Sequence, residues 1–293
     1  MTGTGTQADP FIVDNWPDFV TAIGTADVYV AFPEGGGVIN MNSIAPTGIP
    51  EIPVRCKSIN GNDWIIQNLY CKGHAGFITQ YGRYVSINRL HFLDFYFDDE
   101  GNEIKLGTVF GNSGDDRQGY YFNECQFSGI MNCTYYNSDV YKRNGLFVQD
   151  NYWLKCRLIR CSINVKLDVY AVLLSGSNYI HEDNRVEYCN IKVSGNSPAW
   201  TENGDYRNCL ITGNSVATAF DVIRGSANFN VINTDFSGAD SFNCTGRSGA
   251  VNLINTDLLP SGATIGTGFI GVTTEQLHDA AYLASLGFPI GVD

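Results

Sequence analysis

The stretch YFNECQFSG, residues 121–129, carries the pattern from which the fold is predicted. Two residues separate the apolar Phe122 from Cys125, and one residue separates Cys125 from the apolar Phe127. The same spacing, with an apolar residue, Cys or Thr in the middle, recurs along most of the chain. The copies are Ile66/Leu69/Cys71, Ile87/Leu90/Phe92, Phe122/Cys125/Phe127, Leu158/Cys161/Ile163, Val186/Cys189/Ile191, Tyr206/Cys209/Ile211, Val231/Thr234/Phe236 and Leu253/Thr256/Leu258.

The spacing between these copies indicates a repeat architecture. Their middle residues stand at positions 69, 90, 125, 161, 189, 209, 234 and 256, so the intervals are 21, 35, 36, 28, 20, 25 and 22 residues. Repeats of this length, made of elements as short as strands, are typical of solenoids in which each repeat forms one coil. The sequence therefore predicts a stack of coils.

The residue just before each middle position predicts a corner between two strands. It is Asn in four copies, and Asn tolerates the left-handed backbone region that a sharp corner requires. Further strand-like runs, such as GFITQY from Gly76 and GLFVQD from Gly145, lie upstream of the copies. Each coil is therefore predicted to contain three short strands joined by corners. The four Asn residues are Asn68, Asn208, Asn233 and Asn255, whereas the other copies carry Arg89, Glu124, Arg160 and Tyr188.

These features resemble the right-handed parallel β-helix, the fold shared by pectate lyases and phage tailspikes. The resemblance spans roughly residues 50 to 270. It implies an all-β chain that forms a single right-handed parallel β-helix solenoid. It also implies that Asn68, Asn208, Asn233 and Asn255 form a stacked ladder at one corner.

Both ends of the chain are predicted to cover the open ends of this solenoid. Residues 1–50 are expected to form an N-terminal cap and entry segment with a short helix, in which Pro17 occupies the first turn. Residues 51–270 are expected to form the β-helix, with insertions near 94–118 and 129–150. Residues 271–293 are expected to form a C-terminal cap helix and tail. The opening GTGTQADPFIV resembles the entry segment of β-helix proteins encoded by phages and prophages, and of some bacterial surface repeat proteins.

Composition and charge narrow the expected partners. The net charge is −12 and the pI about 4.6, and binding to nucleic acid or anionic lipid requires a basic face. Neither nucleic acid nor a membrane is therefore expected as a partner. No apolar stretch of 18 residues and no signal-peptide pattern is present, so we expect the chain to be released into the cytoplasm or to leave it without this kind of signal. The phage resemblance implies a place in the virion, after assembly in a host cytoplasm.

The nine cysteines are expected to be structural. Cys125, Cys161, Cys189 and Cys209 share one repeat position, so stacked coils would place them in an inward ladder of free thiols. The remaining cysteines fit no metal-ligand spacing, and no metal is expected. GTGFIG from Gly266 matches a dinucleotide motif but lacks the βαβ unit that this motif requires, so no cofactor is expected.

The wide intervals hold the candidate functional residues. Asp115 and Asp116 are the candidates for a carboxylate pair that cleaves a polysaccharide. Four aromatic residues are candidates for stacking on sugar rings, namely Tyr135, Tyr136, Tyr141 and Trp153. The same residue types occur in any solvated loop of an acidic protein. An enzymatic groove, a non-catalytic binding surface and contacts within a larger assembly therefore all stay open.

The resemblance implies a structural or accessory virion protein of a bacteriophage or phage-like particle. Its place would be a tail fibre, a baseplate or a head decoration, and its partners would be other virion proteins and a host surface polysaccharide. A homo-oligomer, most simply a trimer, is expected if the particle offers symmetric sites. The alternatives are a polysaccharide lyase or glycoside hydrolase on the same fold, and a bacterial surface adhesin.

Overall fold

The structure is a computed structural model of the 293-residue chain. It describes residues 1–73, 76–80, 84–100, 108–113, 118–134, 145–149, 154–169, 172–175, 185–187, 189–195, 205–207, 210–213, 219–221, 229–232, 241–243, 251–254 and 264–265.

One α-helix, one short 3-10 helix and 24 strands make up the described elements. In chain order they are β1 (Phe11–Ile12), α1 (Trp16–Gly24), β2 (Tyr29–Ala31), β3 (Gly37–Asn40), η1 (Met41–Ser43), β4 (Ile52–Val54), β5 (Ser58–Gln67), β6 (Tyr70–Lys72), β7 (Phe77–Gln80), β8 (Tyr84–Asp98), β9 (Thr108–Ser113), β10 (Gln118–Asn123), β11 (Gln126–Cys133), β12 (Gly145–Gln149), β13 (Leu154–Ile159), β14 (Ser162–Val169), β15 (Val172–Ser175), β16 (Arg185–Glu187), β17 (Asn190–Gly195), β18 (Asp205–Arg207), β19 (Leu210–Gly213), β20 (Ala219–Asp221), β21 (Phe229–Ile232), β22 (Ser241–Asn243), β23 (Val251–Ile254) and β24 (Thr264–Ile265).

The described part of the chain is predominantly β, and its sheets are parallel. The first sheet has 17 strands, the second has five strands in the order β15-β12-β9-β7-β4, and the third pairs β20 with β22. Strand pairs in all three sheets are parallel, as in β8 with β10, β9 with β12 and β20 with β22. This arrangement is compatible with a solenoid, since parallel neighbours require a crossover through other elements.

The strand registers confirm most of the predicted repeat. Ile87 pairs with Phe122, and Phe122 pairs with Leu158, which reproduces the intervals of 35 and 36 residues. Ile163 pairs with Ile191, in agreement with the interval of 28 residues. Apolar residues of successive copies therefore lie side by side in neighbouring strands.

The first predicted copy is wrong in its register. Trp64, not Leu69, pairs with Leu90, and Ile66 pairs with Phe92, so the predicted interval of 21 residues does not exist. The register of β5 on β8 shifts between Asn60 and Trp64, where three residues of β5 lie opposite the single residue Arg89 of β8. This bulge interrupts the spacing of apolar residues in β5 just before Trp64, the residue that pairs with Leu90.

Stacked aromatic rings fill the interior between the sheets. Phe77, Phe110 and Phe147 are in register on β7, β9 and β12, and their ring centroids lie 5.5 and 5.7 Å apart. Phe92 stacks on Phe127 at 5.9 Å with nearly parallel rings. The hydroxyl of the buried Tyr120 donates to the carbonyl of Phe77 at 2.9 Å, so the interior satisfies its polar atom.

The upstream runs form the second sheet, as predicted for a third strand in each coil. GFITQY contains β7 and GLFVQD contains β12, and each pairs in parallel with β9. Both predicted insertions therefore contain strand: β9 lies within 94–118 and β12 within 129–150.

The N-terminal helix forms where the sequence predicts it. Asn15 caps α1, because its Oδ1 accepts from the backbone N–H of Asp18 at 3.0 Å, and Pro17 lies in the first turn. The apolar face of α1 buries Trp16 and Phe19, and the helix contacts β4. The predicted C-terminal helix, residues 271–293, lies outside the described residues.

Candidate functional site

One corner, here called the first corner, is formed by equivalent residues of successive repeats; the strands of one repeat are here called a coil, and the paired repeats together are called the stack. Each of these residues lies just before the point at which strand pairing resumes after the corner. All of them have a left-handed backbone. They are Asp63 (φ 65°), Arg89 (φ 49°), Glu124 (φ 56°) and Arg160 (φ 50°). Three of the four are not Asn, Asp or Gly, so the corner geometry imposes this backbone on residues that rarely adopt it.

The side chains at the first corner alternate in charge along the stack. Arg89 Nε donates to Asp63 Oδ1 at 2.9 Å, and Arg160 Nη1 donates to Glu124 Oε1 at 3.1 Å. The hydrogen bond from Arg89 holds the pKa of Asp63 below its usual value, and Asp63 in turn raises the pKa of Arg89. The four charges neutralise one another, so the corner has no net charge at neutral pH.

His91 lies beside this corner and contacts the coils on either side. It is only 9% exposed. Its Nδ1 accepts from the backbone N–H of Gln126 at 3.2 Å, which places the ring proton of the neutral side chain on Nε2. Nε2 lies 3.7 Å from Asp63 Oδ1. Burial lowers the pKa of His91 and outweighs Asp63, which raises it, so His91 is neutral at pH 7.

The Asp63–His91 pair is not arranged as a catalytic dyad. A general base needs a free ring nitrogen within reach of the proton that it abstracts. The free nitrogen would be Nδ1, and the N–H of Gln126 already occupies it. His91 therefore joins neighbouring strands and is not placed to act on a substrate.

A groove of about 320 Å³ follows the first corner. Its volume falls at the lower end of the range for sites that hold small molecules. Most of the lining residues are polar or charged and the charges are paired, so the groove offers hydrogen bonds without a net charge. The lining residues are Asp63, Arg89, His91, Glu124, Cys125, Gln126, Arg160 and Ser162.

Buried thiols lie on the connections between paired strands, and one of them, Cys125, lines the groove. Cys125, Cys161 and Cys189 form no disulfide and are buried on the β10–β11, β13–β14 and β16–β17 connections. Their Sγ atoms donate to backbone carbonyls, as Cys125 does to Ile87 at 3.4 Å and Cys189 to Leu158 at 3.3 Å. Burial raises the pKa of the Cys125 thiol. A protonated, buried thiol is a poor nucleophile, so Cys125 acts as a small core residue.

A second corner lies farther along each coil and carries a different set of side chains. Asn68 (φ 58°) and Asp94 (φ 56°) have left-handed backbones there. Asn68 Nδ2 donates to Asn40 Oδ1 at 3.1 Å, and Gln67 Nε2 donates to Asp94 Oδ2 at 2.9 Å. The backbone N–H of Asp94 continues this chain of contacts to Ser128 Oγ at 3.1 Å. Polar side chains therefore link successive coils here as well.

The structure places the predicted site residues as follows. Asn68 lies at the second corner, not at the first corner with Arg89, Glu124 and Arg160. Cys125, Cys161 and Cys189 line up on successive coils and are buried. The remaining predicted residues lie outside the described residues, namely Asp115, Asp116, Tyr135, Tyr136, Tyr141, Trp153, Asn208, Cys209, Asn233 and Asn255.

The sequence prediction missed the first corner as a site. It treated Arg89, Glu124 and Arg160 as interruptions of an Asn ladder, whereas they form the ion pairs. It did not single out His91, whose ring is largely covered. The signal that could have found the groove is the alternation of sign at positions 89, 124 and 160, which share one place in the repeat.

The described residues lack two kinds of feature, a metal-binding cluster and a membrane-spanning helix. They contain no group of three or more His, Cys, Asp or Glu side chains that could hold a metal ion. No helix among them is long and apolar enough to span a membrane. Compared with known proteins, the chain matches no family model, no curated protein and no solved structure.

Proposed function

We propose that the chain is a right-handed parallel β-helix that serves as a structural component of a phage or phage-like particle. The observation that carries the proposal is the parallel register that relates strand after strand from β2 to β24. Crossovers between parallel strands of one sheet are right-handed in nearly all proteins, which supports the handedness. In this proposal α1 and the segment before it cap the first coil.

The interior favours a structural role. Rings of successive coils stack at 5.5 to 5.9 Å, and the backbone hydrogen bonds run between coils. A surface component of a particle has to withstand proteases and shear, and a sheet without long exposed edges offers little for a protease to open. The resemblance of GTGTQADPFIV to phage β-helix entry segments supports the assignment to a particle.

Contact with a host surface glycan forms the second half of the proposal. Tyr135, Tyr136, Tyr141 and Trp153 fall within the widest intervals of the repeat, where side chains can project away from the coils. Aromatic rings stack on the apolar faces of sugars, and this contact needs no catalytic group. The glycan would therefore be bound and not cut.

Particle fractionation tests the proposal. Particles and cell envelopes from the source culture are separated on a density gradient and labelled with gold-conjugated antibody against the purified chain. We expect gold at one fixed position on particles, which would also distinguish head from tail. Gold on envelopes alone would overturn the particle assignment and favour an adhesin.

A separate assay tests the glycan. The purified chain is incubated with host surface polysaccharide, and both binding and the length of the polysaccharide are measured. We expect binding that Trp153→Ala weakens at least tenfold and that Asp115→Asn leaves unchanged, with no shortening of the polymer. Shortening that Asp115→Asn abolishes would favour the enzyme instead.

A further inference from the structure

His91 connects three neighbouring strands at the first corner. The ring belongs to β8, its Nε2 faces Asp63 of the β5 bulge, and its Nδ1 accepts from the backbone of Gln126, the first residue of β11. A side chain thus supplies the acceptor for the backbone N–H with which β11 begins. Buried ladder donors ordinarily find a backbone carbonyl, so this contact depends on the state of the ring.

Protonation removes that acceptor. Both nitrogens of a charged imidazole carry a proton, so Nδ1 would then face the N–H of Gln126 with a hydrogen of its own. The N–H of Gln126, whose contact with the ring is partly buried, then loses its acceptor within the protein. The closed arrangement of β8 and β11 at this point is therefore favoured by neutral His91.

We infer that His91 is a pH-sensitive joint, which holds the start of β11 against β8 when the ring is neutral and releases it when the ring is protonated. The inference rests on the three-strand contact and does not depend on the proposed function. It assigns to the groove a change of shape with pH, because His91 and Gln126 both line it.

The charged groups around the ring set the direction of the effect. Asp63 on β5 favours the protonated ring, whereas burial and Arg89 on β8 oppose it. Glu124 before β11 and Arg160 before β14 face the same groove and are paired with each other, and the buried thiols of Cys125 and Cys161 are further titratable neighbours.

The balance of these groups keeps the pKa of closed-state His91 below the ordinary value of 6.5. Opening therefore takes up a proton below about pH 6.5. The opening equilibrium constant rises by up to about tenfold per pH unit until the closed-state pKa is reached.

Hydrogen exchange of the full chain tests the joint. Protection of the peptide that contains Gln126 is measured from pH 7.5 to 5.0 and corrected for the chemical exchange rate. We expect protection to fall by up to about tenfold per pH unit below 6.5 in the wild type and in the control His74→Gln. His91→Gln keeps an acceptor that does not titrate, so its protection should stay constant. A wild-type profile that is flat, or a fall of the same size in His91→Gln, would overturn the inference.

Imidazole ¹⁵N NMR gives a second test, whose first part uses only the wild type. We expect the Nε2–H tautomer of His91 at pH 8 and a shift of the Gln126 amide as the ring titrates. Asp63→Asn removes the carboxylate that favours the charged ring, so the titration should move to lower pH. The Nδ1–H tautomer at pH 8, or a titration that leaves the Gln126 amide unmoved, would contradict the joint.

Discussion

The interior of the stack and its first corner are built from the same coils but in opposite ways. Phe110 in the interior is fully covered and touches rings of its own coil and of the coils on either side. Glu124 and Arg160 at the corner keep 44% and 55% of their side chains exposed and touch chiefly each other. The interior therefore supplies stability, whereas the corner is free to carry other side chains as long as its backbone stays left-handed.

The largest effect is expected from breaking the interior. Phe110→Ala removes the ring that joins Phe77 to Phe147 and leaves a cavity. We expect a loss of about 3–5 kcal/mol in the free energy of unfolding, measured by denaturant titration. Ile130→Ala on the outer surface is the control and should change it by less than about 1 kcal/mol. Equal losses in both variants would remove the distinction between interior and surface.

A smaller effect is expected from the bulge that forms the first corner in β5. A Cβ added at Gly61 would lie 2.3 Å from the carbonyl oxygen of Arg89, so β5 and β8 would have to separate. Gly61→Ala should cost about 1–3 kcal/mol of unfolding free energy. Gly24→Ala is the matched control and should be close to neutral, because its Cβ would lie 3.9 Å from the carbonyl oxygen of Pro53. A neutral Gly61→Ala would contradict the close approach of the two strands.

The smallest effect is expected from substitutions that separate the backbone strain at the first corner from the ion pair. Arg160→Ala and Arg160→Gly both remove the ion pair to Glu124, but only Gly adopts a left-handed backbone without strain. Arg160→Gly should therefore be more stable than Arg160→Ala by about 1 kcal/mol. The order should reverse at Arg157, an ordinary strand residue of β13, where Gly is the worse choice. The same order at both positions would mean that the corner imposes no left-handed backbone.

Much of the interior could be predicted from the sequence, because apolar residues that face inward repeat at fixed distances from each corner. Phe122 and Phe127 align with Leu158 and Ile163 as the spacing predicts. The pattern did not distinguish one corner from another. Residues 66–71, 87–92 and 92–97 all place an apolar residue two positions before a left-handed residue and apolar residues one and three positions after it.

This ambiguity explains why the first copy was assigned to the wrong corner. Asn68 precedes the inward-facing Leu69 in the same way as Arg89 precedes Leu90. The strand register, however, pairs Leu90 with Trp64 and not with Leu69. The extra residues of the β5 bulge decide which of the two corners is equivalent to that of Arg89. The spacing of apolar residues does not reveal them. The groove was missed for a related reason: His91 and Gln126 are 35 residues apart, and only the register brings them together.

Disulfide trapping across β11 and β14 tests the parallel stack most directly. Ser128 pairs with Asn164 and Ile130 with Lys166, so cysteines at either matched pair would have Cα atoms about 4.8 Å apart. The crossed pairs, Ser128 with Lys166 and Ile130 with Asn164, would be about 8 Å apart, beyond the reach of a disulfide. We predict that both matched double variants form the disulfide on mild oxidation, as read by peptide mass spectrometry, and that neither crossed variant does. Disulfides in the crossed variants would mean antiparallel strands and would contradict the account.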